Sequence, residues 1–408
     1  MAALAAFLTP TLPARAATSE DALRAALTRA IRPAGAASGA LVVDLDTGRT
    51  LFSSRAGTRR VPASVEKLYT TATALLRLGP NFTISTAVAG DGVLDPNGTY
   101  RGNLYLKGQG DPTFGSSRFT RAAYGTGARI TTLAARVADA GIERVDGRVY
   151  GDESFFDSRR GPPSSRFAVS RWVGPLSALT FDRGLAPGGR GFVPSPATYA
   201  AQRLVAALRK VHVQVPRRVG LRAAPEDAAE IAAVTSPSLA TLVRLTNRPS
   251  DNFFAEMLLK GLGARFGSRG STAAGAAVVR RELADLGIGA QVVDGSGLSY
   301  LDRTSPRAVV ALLQHMTTGP AAQAFLGSLS VAGRNGTLRH RTRGTAAQDN
   351  CQGKTGTLLY VSNVAGYCIA ADGDTLAFAI LMNRVWPPAA HVLQDRMAAA
   401  IARYDGDG

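Results

Sequence analysis

At 408 residues the chain exceeds the size at which one hydrophobic core usually stops growing, so two domains are expected, and 45% hydrophobic content excludes a disordered or fibrous chain. A net charge of +17 raises nucleic-acid binding, but the arginines are spread along the chain with no basic run of five or six and no nucleic-acid module, so no nucleic-acid partner is expected. The charge fits instead an anionic cell envelope, or a genome rich in arginine and alanine.

In chain order, residues 1–17 read as a signal-peptide-like segment. Met1 to Leu12 are mostly Ala and Leu, and Ala14-Arg15-Ala16 places small residues at the spacing signal peptidase prefers, although a positive n-region is missing. The segment is too short to span a bilayer, and no other stretch approaches eighteen unbroken apolar residues, so the mature protein is expected to be secreted without a transmembrane segment. Residues 20–31 carry Leu23, Ala26, Leu27 and Ile31 on one helical stripe. Residues 39–45 and 49–52 read as strands joined through Asp46-Thr47-Gly48. Pro62 then opens a helix with Leu68, Ala72, Leu75 and Leu76 on its buried stripe, stopped by Gly79-Pro80.

From 81 to 233 the character shifts to short strand-like runs, with breaks at Gly161-Pro162-Pro163 and Pro187-Gly188-Gly189, which reads as an inserted β-rich domain. Helices return over 238–246 and 252–262, strands over 351–381, and a helix over 388–402 closes the chain. The expected organisation is therefore 18–80 together with 234–408 as one domain, and 81–233 as the insertion. If 353–358 and 364–369 form a hairpin turning near Leu359 and Tyr360, Cys351 and Cys368 lie opposite each other. In an exported protein they form either a disulfide or two buried thiols. Two cysteines exclude a four-cysteine zinc site, and His212, His315, His340 and His391 lack metal-ligand spacing, so no metal or other cofactor is expected.

Three strings fall in order along the chain: Ser64-Val65-Glu66-Lys67, Ser250-Asp251-Asn252 and Lys354-Thr355-Gly356. Only five lysines occur against forty-two arginines, so a chance set is on the order of one in several thousand. A serine hydroxyl needs a base within hydrogen-bond reach, and Lys67, three residues on along a helix, shares the face of Ser64. Arginine keeps its proton in a protein. Lysine loses it when buried beside another cation, the part that falls to Lys354. Ser250 suits relay of a proton to the leaving amine, and Asn252 suits holding the substrate amide and positioning Lys67. Lys354 and Thr355 suit a free carboxylate, the strand from Thr355 through Gly356 to Thr357 suits substrate backbone, and the N–H groups of Ser64 and Thr357 suit an oxyanion.

This set resembles that of the low-molecular-mass penicillin-binding proteins of the D-alanyl-D-alanine carboxypeptidase/endopeptidase type, peptidase family S13, the DacB group. The resemblance runs over nearly the whole chain. Beyond the trio it takes in Pro62-Ala63-Ser64, Gly110-Asp111-Pro112, Gly151-Asp152 followed by Phe155, and Ser177-Ala178-Leu179. It continues through Asp294-Gly295-Ser296-Gly297-Leu298-Ser299, Gly336-Thr337-Leu338 and Lys354-Thr355-Gly356-Thr357-Leu358. The resemblance implies an α/β (α+β) fold: a penicillin-binding, β-lactamase-like transpeptidase domain with helices around an antiparallel sheet, and an insertion between the first two motifs. It also implies a serine peptidase acting on D-Ala-D-Ala of peptidoglycan stem peptides and acylated by β-lactams. Ser64, Lys67, Ser250, Asn252 and Lys354 would be its catalytic set.

Three features depart from that pattern. Family members often carry a basic residue directly after the Gly-Leu-Ser loop, where it helps bind the diaminopimelate of the stem; here Tyr300 stands there, with Arg303 nearby. Leu359, apolar, follows the third motif, and the insertion is short for the group. Asp152 is a candidate contact for an amino group on the stem, or an ordinary turn aspartate. Two other functions stay open. A class A β-lactamase deacylates through a Glu-x-x-x-Asn glutamate, and Glu256 and Glu282, the glutamates between the second and third motifs, lack that asparagine. A non-catalytic envelope-binding protein fits the basic charge but leaves five intact catalytic residues unexplained.

Overall fold

The computed structural model describes residues 19–406, so the signal-peptide-like segment 1–17 lies outside the described residues. The first amphipathic pattern forms a helix at Glu20–Ile31, capped by the Ser19 hydroxyl accepting from the Ala22 N–H and carrying Glu20 and Asp21 in its first turn, where acidic groups favour the helix dipole. Two strands follow at Ser38–Asp44 and Thr50–Ser54. Asp44 shapes the turn between them, its carboxylate accepting from the N–H groups of Asp46 at 2.9 Å and Thr47 at 3.2 Å.

These strands belong to a six-stranded antiparallel sheet in the order Ser330–Val331, Cys351–Leu358, Val361–Ile369, Thr375–Asn383, Ser38–Asp44 and Thr50–Ser54. Both faces are covered, which is why Ser38–Asp44 is buried along its whole length. On one face Ala40, Val42, Phe378, Ile380 and Met382 pack with Leu23, Leu27, Met397 and Ile401 of the Glu20–Ile31 and Pro387–Ile401 helices. On the other face Leu41, Val43, Ala365, Ala377 and Ala379 meet the helices Lys67–Leu78, Leu239–Asn247, Asn252–Phe266 and Pro306–His315. Alternate residues therefore serve opposite layers, as a period of two requires. The alanines on the second face leave room for large helical side chains such as Tyr69 and Phe254.

A second sheet, of mixed direction, runs in the order Ala229–Thr235, Ser85–Gly90, Leu104–Gly108, Val149–Asp152 and Val219–Leu221. It packs its own core against the helices Ile130–Asp139 and Pro196–Lys210, with Leu104, Leu106, Leu133, Val137, Leu204 and Leu208 at the centre. Within the expected insertion, however, Phe156, Val173, Leu176 and Ala178 bury with the Lys67–Leu78 and Asn252–Phe266 helices rather than with this sheet. That segment brings the second sheet's connections to the edge of the three motifs. Among the described residues no helix is long and apolar enough to cross a membrane.

The Val361–Ile369 and Cys351–Leu358 strands pair in the register expected from a turn at Leu359 and Tyr360, with Lys354 opposite Ala365 and Cys351 opposite Cys368. The two cysteines are joined in a disulfide with their Cα atoms 4.0 Å apart.

Candidate active site

Ser64 does not sit in the first turn of an α-helix. It lies in a 3₁₀ turn at Ala63–Glu66, and the α-helix begins at Lys67. The tighter turn follows from its approach: Ala63 takes φ +47°, a left-handed conformation that costs a residue with a Cβ on the order of 1 kcal/mol. Two asparagines hold the entry. The Asn363 side chain donates to the carbonyls of Val61 and Pro62 at 3.0 and 2.7 Å, and Asn383 accepts from the Val61 N–H at 2.8 Å. From the other side comes Gly356. A Cβ there would lie 2.6 Å from the Pro62 carbonyl oxygen and 2.9 Å from the amide nitrogens of Ser64 and Val65. The third motif thus needs glycine because its strand runs against the backbone that presents the serine.

Lys67 is wholly buried while Ser64 keeps partial access to solvent. The Lys67 Nζ donates to Ser64 Oγ at 2.9 Å, to Asn252 Oδ1 at 2.7 Å and to the Ser296 carbonyl at 2.6 Å. Burial pushes the amine down to about 8, against the pull of Asp294, Glu256, Asp251 and Glu66. The expected role of Lys354 in this shift is therefore not the main one: desolvation lowers Lys67, and the acidic groups around it oppose the fall. Lys354, equally buried, is held well below its ordinary value by burial and by Lys67. With Lys260, three of the five lysines are fully buried.

The second motif sits where the Leu239–Asn247 helix gives way to Asn252–Phe266. Ser250 adopts φ +63°, and Asp251 caps the second helix by accepting from the Phe254 N–H at 3.1 Å. This cap is anchored from the segment expected to be an insertion, because Arg183 grips the Asp251 carboxylate with both terminal guanidinium nitrogens, at 2.5 and 2.9 Å. Asn252 spends its amide nitrogen on the Trp172 carbonyl at 3.0 Å, which aims its oxygen at Lys67. The Lys354 Nζ donates to Ser250 Oγ at 2.8 Å and to its neighbour's carbonyl at 2.7 Å. Thr355 Oγ1 donates to Thr337 Oγ1 at 2.7 Å, tying the third motif to Gly336–Leu338.

The five residues expected to do chemistry thus form two hydrogen-bonded groups, Ser64–Lys67–Asn252 and Ser250–Lys354, near enough for Lys67 to depress Lys354, with Gly356 beside the Ser64 amide and exposed Thr357 next along the strand. Tyr300, Arg303 and Leu359 also come together. They line a cavity of about 440 Å³ with Arg59 and Arg384, and the Tyr300 hydroxyl donates to the Leu359 carbonyl at 3.3 Å. Asp152 takes no part in either group. It ends a strand of the second sheet, buried, its carboxylate accepting from the N–H groups of Ser154 and Ala224 at 2.9 and 3.0 Å, which is the work of a turn aspartate. Arg183, the Trp172 carbonyl, Thr337 and Glu256 were not singled out as site residues from sequence. Arg183 and Trp172 reach the second motif from 68 and 80 positions away without a motif to mark them, whereas Thr337 lies in the Gly336-Thr337-Leu338 string and Glu256 one turn beyond Asn252. Among the described residues no group of three or more His, Cys, Asp or Glu is placed to hold a metal ion.

Residues 22–187 and 191–404 match the D-Ala-D-Ala carboxypeptidase 3 (S13) family. The chain is 31% identical to a D-alanyl-D-alanine carboxypeptidase of Actinomadura sp. (strain R39), over 91% of this chain and 82% of that protein. It is 30% identical to the carboxypeptidase DacB of Mycolicibacterium smegmatis, over 88% and 79%. In fold it resembles penicillin binding protein 4 of Haemophilus influenzae, with a TM-score of 0.76 at 20% identity over 91% of this chain and 97% of that one. Both sheets and all three motifs fall inside the matched residues, and the chain belongs to the D-Ala-D-Ala carboxypeptidase 3 (S13) family.

Proposed function

We propose that the chain is a serine peptidase that cleaves the terminal D-Ala-D-Ala bond of peptidoglycan stem peptides. It acts as a carboxypeptidase and, where the leaving amine belongs to a neighbouring stem, as a DD-endopeptidase. The observation that carries this reading is the continuous contact from Ser64 Oγ through Lys67 Nζ to Asn252 Oδ1. An amine brought down to about 8 is neutral often enough near neutral pH to take the serine proton. Ser64 Oγ then attacks the penultimate D-Ala carbonyl, and the N–H groups of Ser64 and Thr357 receive the oxyanion. Collapse breaks the C–N bond, and the nitrogen of the leaving D-alanine takes the proton that Lys67 removed from Ser64, relayed through the Ser250 hydroxyl, which Lys354 holds. Water hydrolyses the ester and restores Ser64. Lys354, whose charged form an incoming carboxylate favours against the burial that depresses it, and Thr355 receive the substrate's terminal carboxylate. Tyr300, Arg303 and Leu359 flank the stem, where Arg303 with Arg59 and Arg384 keeps the cavity basic although Tyr300 and Leu359 stand at the two departing positions.

A β-lactam presents a strained amide to the same serine, and a β-lactam complex of the Haemophilus influenzae protein is known. Place of action outside the cytoplasm is supported by the disulfide, which persists under oxidising conditions. The charge of +17 suits work against an anionic envelope. The test is paired. Stable labelling by fluorescent penicillin, lost in Ser64→Ala, together with D-alanine release from a synthetic stem pentapeptide, is expected. Rapid penicillin turnover would instead make the protein a β-lactamase, and absence of labelling would make it a binding protein.

A further inference from the structure

Behind Lys67 lies a set of buried acids that the proposed chemistry does not use. Glu66 comes from the serine turn, Glu256 from the second-motif helix, and Asp294 and Asp302 from the loop that follows Val292; all four are fully buried. Four carboxylates at close quarters cannot all ionise. Their surroundings sort them. Asp294 is raised by burial, but the N–H groups of Ser296, Gly297 and Ser299 that it accepts from, and Lys67, favour its anion. Both oxygens of Glu66 lack a partner, and Asp302 is pushed up to about 11 by burial, then by Glu66 and Asp294, so these two keep their protons. Glu256 stands between. Its Oε1 accepts from the N–H groups of Gly295 and Ser296 at 3.1 and 2.9 Å, and burial, then Asp294, raises it to about 8.

The Gly295-Ser296 segment is gripped from two helices. Glu256 holds its N–H groups, while Lys67 and Thr70 hold its carbonyls, Lys67 on Ser296 at 2.6 Å and Thr70 on Gly295 at 3.0 Å. A Cβ on Gly297 would lie 1.9 Å from the Ala63 carbonyl, so the same loop also abuts the serine turn. Glu256 follows Asn252 by four residues and shares its face of the helix. One helix therefore meets Lys67 twice, through the Asn252 oxygen directly and through the Glu256-held carbonyl of Ser296.

We propose that Glu256 is a positioning residue for Lys67: its carboxyl fixes the Ser296 carbonyl against the amine, and its charge acts on that amine's hold on a proton. This rests on Lys67 being the base for Ser64. The titratable groups facing Lys67 are Glu66, protonated, on its own turn, Asp251 and Glu256 on the second-motif helix, Asp294 on the loop, and Lys354 on the third-motif strand, with Asp251 neutralised by Arg183.

The experiment is the pH profile of penicillin acylation in the full chain. In Glu256→Gln the amide oxygen still accepts from the loop while the charge is gone. Loss of a negative neighbour weakens the amine's hold on its proton, so the acid limb moves to lower pH by about half to one unit, with the plateau within about threefold of wild type. Glu256→Ala, lacking the clamp, loses about 100-fold at the plateau. Glu66→Gln, replacing a group already neutral, leaves the limb in place. A limb in Glu256→Gln that superimposes on wild type, or one that moves only in Glu66→Gln, overturns the proposal. Should Glu256→Gln fail to fold, infrared difference spectra of wild type labelled with ¹³C-glutamate decide. A glutamate ionising between pH 6 and 9 at the midpoint of the acid limb supports it, since exposed glutamates ionise lower, and none in that range refutes it. Absence of acylation in wild type at any pH would instead fail the underlying reading of Ser64 and Lys67.

Discussion

Gly356→Ala is the sharpest test of how the third motif acts on the first. The added methyl would meet the Pro62 carbonyl oxygen at 2.6 Å, 0.8 Å short of the 3.4 Å at which ordinary contact begins, and two amide nitrogens at 2.9 Å. All three atoms are backbone, so no side chain can swing aside. The turn is also unable to retreat freely, because Asn363 and Asn383 tie Val61 and Pro62 to the central sheet. Either the strand or the serine turn must move by a large fraction of an ångström. Overpacking of this kind costs about 1–3 kcal/mol of stability. The larger effect falls on rate. A displacement near 1 Å between nucleophile and its partners costs about 100-fold, or about 2.7 kcal/mol of transition-state stabilisation. The assay is the second-order rate of fluorescent penicillin labelling beside a thermal melt. Gly57→Ala, where no atom lies within 4 Å of the new methyl, serves as control and should match wild type. Labelling of Gly356→Ala within threefold of wild type, with an unchanged melt, would refute the claim that this contact sets the serine's position.

Other outcomes follow from the same geometry. Arg183→Ala leaves Asp251 without its bidentate partner in a site where the two side chains are only 23% and 16% exposed; a loss of about 2–3 kcal/mol and slower acylation are expected, with Arg183→Lys intermediate by melt and labelling rate. Replacing both Cys351 and Cys368 by serine opens a link between residues 17 apart and should cost about 3 kcal/mol in a denaturant titration. Acylation at 25 °C should stay within a few-fold, because eight paired positions still hold the hairpin register. Glu66, raised well above the usual carboxylate range by burial and then by Asp294, keeps a proton that the unfolded chain releases. Its contribution to stability is full below the ordinary glutamate value and is lost as pH rises toward the folded one. Melts from pH 5 to 8 should therefore favour Glu66→Gln progressively, by at most about 1.4 kcal/mol per unit, and parallel curves would show that Glu66 is ionised.

What the sequence disclosed and what it withheld divide along physical lines. The spacing of Ser64 and Lys67, the turn residues around Asp46, and the facing of Cys351 and Cys368 all follow from the fixed periods of helix and strand, so local order suffices to place them. The 3₁₀ turn at Ser64 was not legible, because it is imposed by asparagines some 300 positions downstream. Arg183 precedes its partner Asp251 by 68 positions and had no motif to mark it. In sequence Glu256 reads only as a candidate deacylating base, a role that the lack of an asparagine four residues on denies. What distinguishes it is total burial on a helix apolar on nearly every side, visible only once that helix is packed. Asp152 shows the converse, since a motif position drew attention to a carboxylate that backbone amides occupy.

The distribution of lysine has a practical consequence. Because Lys67, Lys260 and Lys354 are sealed from solvent, a reagent that couples to side-chain amines meets only Lys107, in the second sheet, and Lys210, at the end of the helix packed on it. Both handles lie on elements that build the second sheet's own core rather than on those that carry the three motifs. Tethering the protein to a bead or sensor chip through amines would therefore use Lys107, Lys210 or the α-amine, a small set of attachment points that the forty-two arginines, inert to the same chemistry, do not enlarge.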